Sequence, residues 1–237
     1  MARKPICLLA GGPGSRRRGP DPLVARALSL ADTLSPNVAY VGAPSGDNRA
    51  FFVMIAGILR RAGAGEVEMV RLCGREPDLG RAREQLAAAD LVFITGGDVE
   101  EGMGILDRTG IASHLVNLAD RGKPFLGVSA GSIMLARGWI RWQDPDDASS
   151  AAIFPCLGLA PVYCDTHGEA DGWEELTALL ALAADGERGH GIATGTGLLA
   201  FPGGVLEAIG GPVHRYERRD GATVRIADLA PLQVSSS

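Results

Sequence analysis

The chain has 237 residues, of which 46% are hydrophobic and 22% charged, and its formal net charge is −5. This length and composition are typical of one α/β domain with a sizeable core, so residues 1–237 are interpreted as a single domain. The acidic balance argues against nucleic acid as a partner, because affinity for phosphates needs a basic face. No apolar stretch approaches the roughly 18 residues of a membrane span, which argues against a membrane partner. The single basic run, residues 16–18, is short and is interpreted as a solvated loop.

Cysteine usage indicates a reducing compartment. The cysteines are Cys7, Cys73, Cys156 and Cys164. They are scattered and have neither a C-x-x-C pair nor the spacing of metal ligands. The N-terminal basic residues precede only a short apolar stretch, unlike a secretory signal. We therefore expect a cytoplasmic protein.

Apolar runs alternate with amphipathic stretches up to residue 136. The predicted strands are residues 5–10, 38–41, 67–72, 91–95 and 124–128. The predicted helices are residues 23–34, 48–62, 79–88, 99–106, 111–121 and 130–136. This alternation predicts an α/β fold, with a doubly wound, mostly parallel sheet and helices on both of its faces.

The second part of the chain has a different pattern. Residues 137–150 are polar and weakly periodic, which predicts a loop or a short hairpin. A strand is predicted at 159–163 and a helix at 174–184. Short apolar runs separated by glycine turns then predict a closing antiparallel section. Its strands are expected at 197–201, 205–209, 213–216 and 223–226, followed by a frayed tail at 233–237.

The strongest chemical signal is the segment Gly127-Val128-Ser129-Ala130-Gly131. It follows a predicted strand and precedes a predicted helix, which is the context of a nucleophile elbow. The small flanking residues permit a tight turn that presents the Ser129 hydroxyl at the carboxyl end of the sheet. The amide of Ala130 is then a candidate oxyanion donor, because it opens a helix. The alternative is a structural turn with an incidental serine.

A second oxyanion donor is predicted at the end of the preceding strand. Gly96-Gly97 closes that strand, and neighbouring parallel strands end at the same edge of a sheet. The backbone of Gly97 can approach a substrate closely because it has no Cβ. A plain turn with Asp98 as helix N-cap is the other interpretation, and the two are compatible.

A serine nucleophile needs a general base. The histidines are His114, His167, His190 and His214. His167 is the best candidate by position, because it follows a predicted strand and lies on a loop. Spacing alone leaves the orienting acid open. The candidates are Asp144, Asp146, Asp147, Asp165 and Glu169.

Three segments in this order resemble the S51 serine peptidases: Gly96-Gly97-Asp98, the elbow at 127–131, and Asp165-Thr166-His167. That family includes aspartyl dipeptidase and cyanophycinase and has a class I glutamine-amidotransferase-like fold. The likeness extends from about residue 5 to 201.

The resemblance implies a role for each residue that matches the family's motifs. Ser129 is the implied nucleophile and His167 the implied base, and the amides of Gly97 and Ala130 are the implied oxyanion donors. In the dipeptidase branch the acid lies in the loop after the serine, which corresponds to Asp144, or to Asp146 or Asp147 if the loop shifts. In the cyanophycinase branch it lies after the histidine, and the corresponding segment 191–196 has no acid here.

The sequence departs from the family pattern after the histidine. Members that cut after aspartate often carry arginines there, whereas residues 168–175 of this chain are acidic. An acidic rim repels an aspartyl side chain, so we expect another specificity. Candidate substrate-binding residues are Asp98, Glu169 and Trp173.

The sequence therefore predicts a serine peptidase or amidase that acts on small peptides or amides and needs no metal or organic cofactor. A homodimer formed through the antiparallel section remains open. The alternatives are an esterase on the same elbow, an amidotransferase-like enzyme and a non-catalytic binding module. The resemblance disfavours the amidotransferase, because that class uses cysteine where this chain has Ser129.

Overall fold

A computed structural model describes residues 2–11, 19–144 and 146–231 of the chain. The basic run at 16–18 and the tail at 233–237 lie outside the described residues. Within these ranges, none of the helices combines the length and the apolar character needed to cross a bilayer.

The regular elements follow the predicted alternation. The strands are β1 (Ile6–Leu9), β2 (Val38–Val41), β3 (Val67–Val70), β4 (Leu91–Ile94), β5 (Phe125–Val128), β6 (Gly138–Trp142), β7 (Ala151–Pro155), β8 (Tyr163–Thr166), β9 (Arg188–Ile192), β10 (Gly197–Ala200), β11 (Leu206–Ile209), β12 (Val213–Arg219) and β13 (Ala222–Leu229). The helices are α1 (Pro22–Leu28), α2 (Arg49–Arg61), α3 (Leu79–Ala88), α4 (Val99–Arg108), α5 (Ile111–Asp120), α6 (Ala130–Leu135) and α7 (Glu174–Leu182).

The central sheet has seven strands in the order β11-β10-β1-β5-β4-β2-β3. Strands β1 to β5 pair in parallel, and β10 and β11 extend the sheet antiparallel beyond β1. Helices α1 and α2 pack on one face, and α3 to α6 pack on the other. Alternate side chains of β1 contribute to the two layers, with Leu8 in one core and Leu9 in the other. Burial on both faces explains why the parallel strands are continuous apolar runs, and the predicted fold class is confirmed.

Helix α1 is shorter than predicted, and the segment 137–150 takes the hairpin form of its two predicted alternatives. Helix α1 ends at Leu28 rather than at residue 34, and Leu34 is fully exposed. The chain reaches Pro36 soon afterwards, and a residue that precedes proline disfavours helical geometry. The segment 137–150 contains the start of a hairpin, because β6 pairs antiparallel with β7 across the interval 143–150.

The C-terminal section divides between two sheets. Strands β10 and β11 join the central sheet, whereas β12 and β13 belong to a second sheet of order β13-β12-β9-β8. Strand β9 was not predicted, because its sequence Arg-Gly-His-Gly-Ile lacks a regular apolar alternation. Strand β8 begins only at Tyr163, since the preceding apolar run bonds to the end of α6, where the amide of Ala160 donates to the carbonyl of Leu135 at 2.9 Å.

Candidate active site

Ser129 lies at the turn between β5 and α6, at the carboxyl edge of the central sheet. Its backbone has φ 54° and ψ −124°, a region that costs a non-glycine residue about 1–3 kcal/mol. The Ser129 amide donates a 2.9 Å hydrogen bond to the carbonyl of Leu9, and the Ser132 hydroxyl donates a 2.8 Å bond to the same oxygen. Both bonds tie the elbow to the end of β1.

The glycines on either side of the serine are required by close packing. A Cβ at Gly127 would lie 2.5 Å from the carbonyl oxygen of Gly131, and one at Gly131 would overlap the carbonyl oxygen of Ile94. Helix α6 therefore approaches β4 and β5 more closely than side chains would allow. This close approach supports the elbow interpretation of the motif.

The Gly96-Gly97 turn lies directly beside the serine, as the sequence predicted. A methyl group added at Gly96 would lie 3.2 Å from Cβ of Ser129. Gly97 has φ 145°, and a Cβ there would overlap the carbonyl oxygen of Pro44. Asp98 caps α4, because its Oδ1 accepts a 2.7 Å bond from the amide of Glu101. The turn is thus an N-cap and a neighbour of the nucleophile at once.

The two predicted oxyanion donors keep their backbone hydrogens available. Among the described residues, the amides of Gly97 and Ala130 donate to no backbone acceptor, whereas the neighbouring amide of Asp98 is used by Pro44 at 2.8 Å. Ala130 opens α6, so the positive end of that helix dipole points to the same place. The arrangement can stabilise negative charge that develops next to Ser129.

His167 and Ser129 line one cavity of about 570 Å³. His167 follows β8 with φ 66°, and its Nδ1 lies 3.0 Å from Oγ1 of Thr194. The amide of Thr194 donates a 2.6 Å bond to Oε1 of Glu169. Partial burial opposes ionisation of Glu169, but hydrogen bonds from Thr194 and the nearby His167 charge outweigh it and hold its pKa below the ordinary value. Glu169 therefore holds the backbone of Thr194, and the hydroxyl of that threonine contacts the imidazole.

A short turn between β9 and β10 brings this network to the serine. The amide of Gly195 donates a 2.7 Å bond to the carbonyl of Gly11, and the amide of Ala10 donates a 3.2 Å bond to that of Thr196. Thr194 is therefore anchored to the end of β1, the strand that also holds the elbow. The sequence prediction missed Thr194. A signal existed, because it lies in the segment 191–196 that the family resemblance associates with an orienting residue.

The predicted acid Asp144 is not brought to His167. Asp144 is exposed in the loop between β6 and β7, and its Oδ1 accepts a 3.0 Å bond from the amide of Asp146. Asp147 bonds to Ser149 in the same loop. Among the described residues, no hydrogen bond or ion pair joins these aspartates to His167. Their side chains serve the local turn instead.

Trp173 supports the histidine loop rather than lining the cavity. Its side chain is only 4% exposed. A Cβ at Gly168 would lie 2.8 Å from the indole ring, and one at Gly191 would lie 2.7 Å from it. The indole therefore packs against the backbone on both sides of the loop. Asp98 does not line the cavity either.

The remaining histidines lie elsewhere in the fold. His190 is buried, and burial lowers its pKa to about 4. His214 contacts Asp228, with 3.0 Å between Nδ1 and Oδ2, and His114 lies within α5. Within the described ranges, no grouping of His, Cys, Asp and Glu side chains has the arrangement of a metal site.

Asp165 is a second carboxyl close to the histidine loop, but it is buried. Burial raises its pKa to about 7, and the neighbouring carboxylates of Glu175, Asp171 and Glu169 contribute, although a 2.6 Å bond from the amide of Thr166 opposes them. At neutral pH this buried carboxyl therefore lowers the stability of the folded state.

Sequence comparison relates the chain to a peptidase family and to individual proteins. The sequence profile described as peptidase family S51 matches residues 8–200. The pyridoxal 5'-phosphate synthase subunit PdxT of Geobacillus stearothermophilus is 32% identical over 136 residues, which are 56% of this chain and 64% of that protein. Peptidase E of Streptomyces coelicolor is 34% identical over 83 residues, which are 35% of this chain and 34% of that protein. The chain thus spans less than two thirds of the length of these relatives.

Two solved structures share the fold. A peptidase from an acI-B1 Actinobacterium superposes with a TM-score of 0.71 at 16% identity, covering 96% of this chain and 97% of that one. A putative peptidase E protein from Listeria monocytogenes superposes with a TM-score of 0.61 at 17% identity, covering 95% of this chain and 100% of that one. At these identities the likeness supports the fold.

Gly131→Ala tests the close packing beneath the elbow. We expect the free energy of unfolding to fall by about 1–3 kcal/mol, because the added methyl group meets backbone that cannot move aside. Gly104→Ala in α4 is the matched control, since its nearest heavy atom would be the mobile end of Arg108 at 3.5 Å. It should raise stability by about 0.5–1 kcal/mol. Urea unfolding measures both, and equal effects would contradict the close-packing argument.

Asp165→Asn tests the buried carboxyl. The pKa of Asp165 in the folded protein, about 7, lies above the ordinary value of 3.8, so the folded state binds the proton more tightly. The part of the free energy of unfolding that depends on protonated Asp165 is complete below about pH 4. It is lost as the pH rises towards 7. Asp165→Asn should therefore flatten this pH dependence and raise the melting temperature at pH 8. Asp32→Asn, at an 88% exposed carboxylate, should retain the wild-type slope. Parallel curves for wild type and Asp165→Asn would contradict the assignment.

Proposed function

The chain belongs to peptidase family S51, and from that premise we propose that it is a serine peptidase that cleaves small peptides or amides by acyl transfer. The observation that carries the proposal is the pairing of Ser129, strained at φ 54° on a strand-to-helix turn, with His167 on the same cavity. Strain of this kind persists where the surrounding structure enforces it, and it is concentrated at reactive sites.

The proposed reaction uses groups that converge at the cavity. Ser129 Oγ attacks the substrate carbonyl while Nε2 of His167 accepts its proton. The amides of Gly97 and Ala130 bind the oxyanion, and His167 then protonates the leaving amine. Water hydrolyses the acyl-enzyme by the same route. Among the described residues no hydrogen bond joins the two side chains directly, and such bonds are often long before substrate binds.

We assign the orientation of His167 to Thr194 and Glu169. In the tautomer that donates from Nδ1 to Oγ1 of Thr194, Nε2 is left as the proton acceptor. The ionised Glu169 accepts a bond from the backbone amide of Thr194 and so holds the residue whose hydroxyl contacts Nδ1. This arrangement performs the role that the family resemblance gave to Asp144.

The cysteines do not offer a rival nucleophile. None of Cys7, Cys73, Cys156 and Cys164 lines the cavity. Cys7 and Cys164 are buried, and desolvation raises the pKa of both thiols. A thiol with a raised pKa is a poor nucleophile, because the thiolate is the reactive form. This supports serine chemistry over the thiol chemistry of amidotransferases.

Ser129→Ala tests the nucleophile. With a dipeptide library varied at the first residue, we expect wild type to hydrolyse a subset and the variant to lose roughly 10⁴-fold or more in kcat. A fluorophosphonate should label wild type and Ser113→Ala, whose serine lies in α5, but not Ser129→Ala. Labelling or hydrolysis that persists without Ser129 would remove it from the mechanism. An unreactive wild type would favour a binding module.

A set of conservative variants identifies the group that orients His167. Thr194→Val and Glu169→Gln should each lower kcat by 10- to 1,000-fold with little change in KM, because they act through the imidazole. Thr194→Ser, which keeps the hydroxyl, should restore most of the rate and the wild-type pH profile. Asp144→Asn should stay close to wild type. A loss confined to Asp144→Asn would instead return the orienting role to the loop between β6 and β7.

A further inference from the structure

The cavity beside Ser129 arises from incomplete cover on one face of the central sheet. Seven strands at about 4.8 Å spacing span roughly 29 Å. Helices α1 and α2 form the helical cover on this face within the described residues, and each is about 10 Å wide. Between the two helices and the strand ends, Leu9, Phe93 and Val128 line the cavity.

The walls of this space are almost entirely apolar. Helix α1 contributes Leu23 and Val24. Helix α2 contributes a longer row of side chains, which are Phe51, Met54, Ile55, Ile58 and Leu59. Several of them are only partly buried, and Met54 is 44% exposed. A wall of incompletely buried apolar side chains next to a reactive serine gains stability when an apolar group covers it.

Apart from His167, the described residues that line the cavity include no cationic side chain. Apart from His167, the ionisable residue among the described lining residues is Asp21, whose Oδ1 accepts bonds from the amides of Leu23 and Val24 at 2.9 and 3.4 Å. Glu169 adds negative charge beside His167. A substrate carboxylate placed here would be desolvated without a cation, which is costly.

A polar edge next to the serine distinguishes the two ends of a substrate. The Thr95 hydroxyl is buried, lines the cavity and has no partner among the described residues. Ser45 lines the same cavity, and Gly96 follows Thr95 directly. These polar side chains lie beside the serine, whereas helix α2 supplies a continuous apolar part of the lining.

We infer that this cavity is the subsite for an apolar group, an aliphatic or aromatic side chain or an acyl chain, on the carbonyl side of the bond that is cleaved. The inference rests on the proposed acyl transfer from Ser129 and names its substrate class. A cavity of about 570 Å³ is large enough for a leucyl or phenylalanyl side chain.

Substrate series separate the two sources of such a group. Aminoacyl p-nitroanilides carrying Leu, Phe, Ala, Asp or Lys test side chains, and acetyl and octanoyl p-nitrophenyl esters test acyl chains. We expect kcat/KM for Leu or Phe to exceed that for Asp by at least tenfold, since small apolar differences are worth roughly 10–200-fold. A gain from acetyl to octanoyl ester that is much greater than the gain from Ala to Leu anilide would identify an acyl chain as the occupant. A preference for Asp or Lys would overturn the inference.

Two adjacent positions on α2 form a matched pair of variants. Met54 lines the cavity, whereas Val53 is 61% exposed and does not line it. Met54→Lys should lower kcat/KM for the Leu substrate about tenfold and narrow the gap to Asp, because it puts a cation on the apolar wall. Val53→Lys should leave both values unchanged. Equal effects of the two variants would contradict the assignment of the cavity.

A binding measurement keeps this inference separate from the proposed catalysis. In the Ser129→Ala background, the uncharged apolar dye N-phenyl-1-naphthylamine should bind, be displaced by leucine amides, and bind more weakly after Met54→Lys but not after Val53→Lys. If the dye binds with this pattern but wild type cleaves none of the substrates, the proposed function is contradicted and the apolar subsite is not. Hydrolysis with a preference for Asp would contradict the apolar subsite but not the proposed function. Absence of dye binding would also contradict the subsite.

Discussion

The carboxyl end of strand β1 is the constraint on which the candidate site depends. The carbonyl of Leu9 accepts hydrogen bonds from the Ser129 amide and the Ser132 hydroxyl, so it fixes the turn that carries Ser129. The two residues that follow the strand, Ala10 and Gly11, bond to the turn that carries Thr194. One strand end therefore sets the position of the serine and that of the group that contacts His167.

Conformational strain accompanies this arrangement on both sides. Ser129 and His167 both have positive φ, at 54° and 66°, although neither is glycine. Each such residue costs free energy that must be recovered elsewhere. Packing supplies the free energy that offsets this strain at both residues. Helix α6 contacts the sheet through Gly127 and Gly131, and the indole of Trp173 packs against the histidine loop. The buried indole is thus as much a part of the site as the exposed imidazole.

The cavity follows from the same architecture. A fold that covered this face of the sheet completely would gain apolar burial but would leave no space beside Ser129. The partly exposed side chains on α2, such as Met54 and Ile58, indicate that stability has been forgone where the strands end. Such trade-offs between stability and activity are common where a site must remain open.

Local pattern was sufficient for the central sheet, for the turn at Ser129 and for the Gly96-Gly97 turn beside it. These features depend on residues adjacent in sequence: buried strands are continuous apolar runs, and a sharp turn needs glycines at fixed spacing. Strand β9, the division of the last strands between two sheets and the contact between His167 and Thr194 depend on segments that are distant along the chain. The position of Asp144 relative to His167 is of this second kind, because loop side chains bond to whichever partners the fold brings near. The sequence by itself thus determined the sharp turn at Ser129 and the sheet that carries it, whereas only the tertiary structure decided which group contacts His167 and what lines the cavity, since both are set by packing between separate elements.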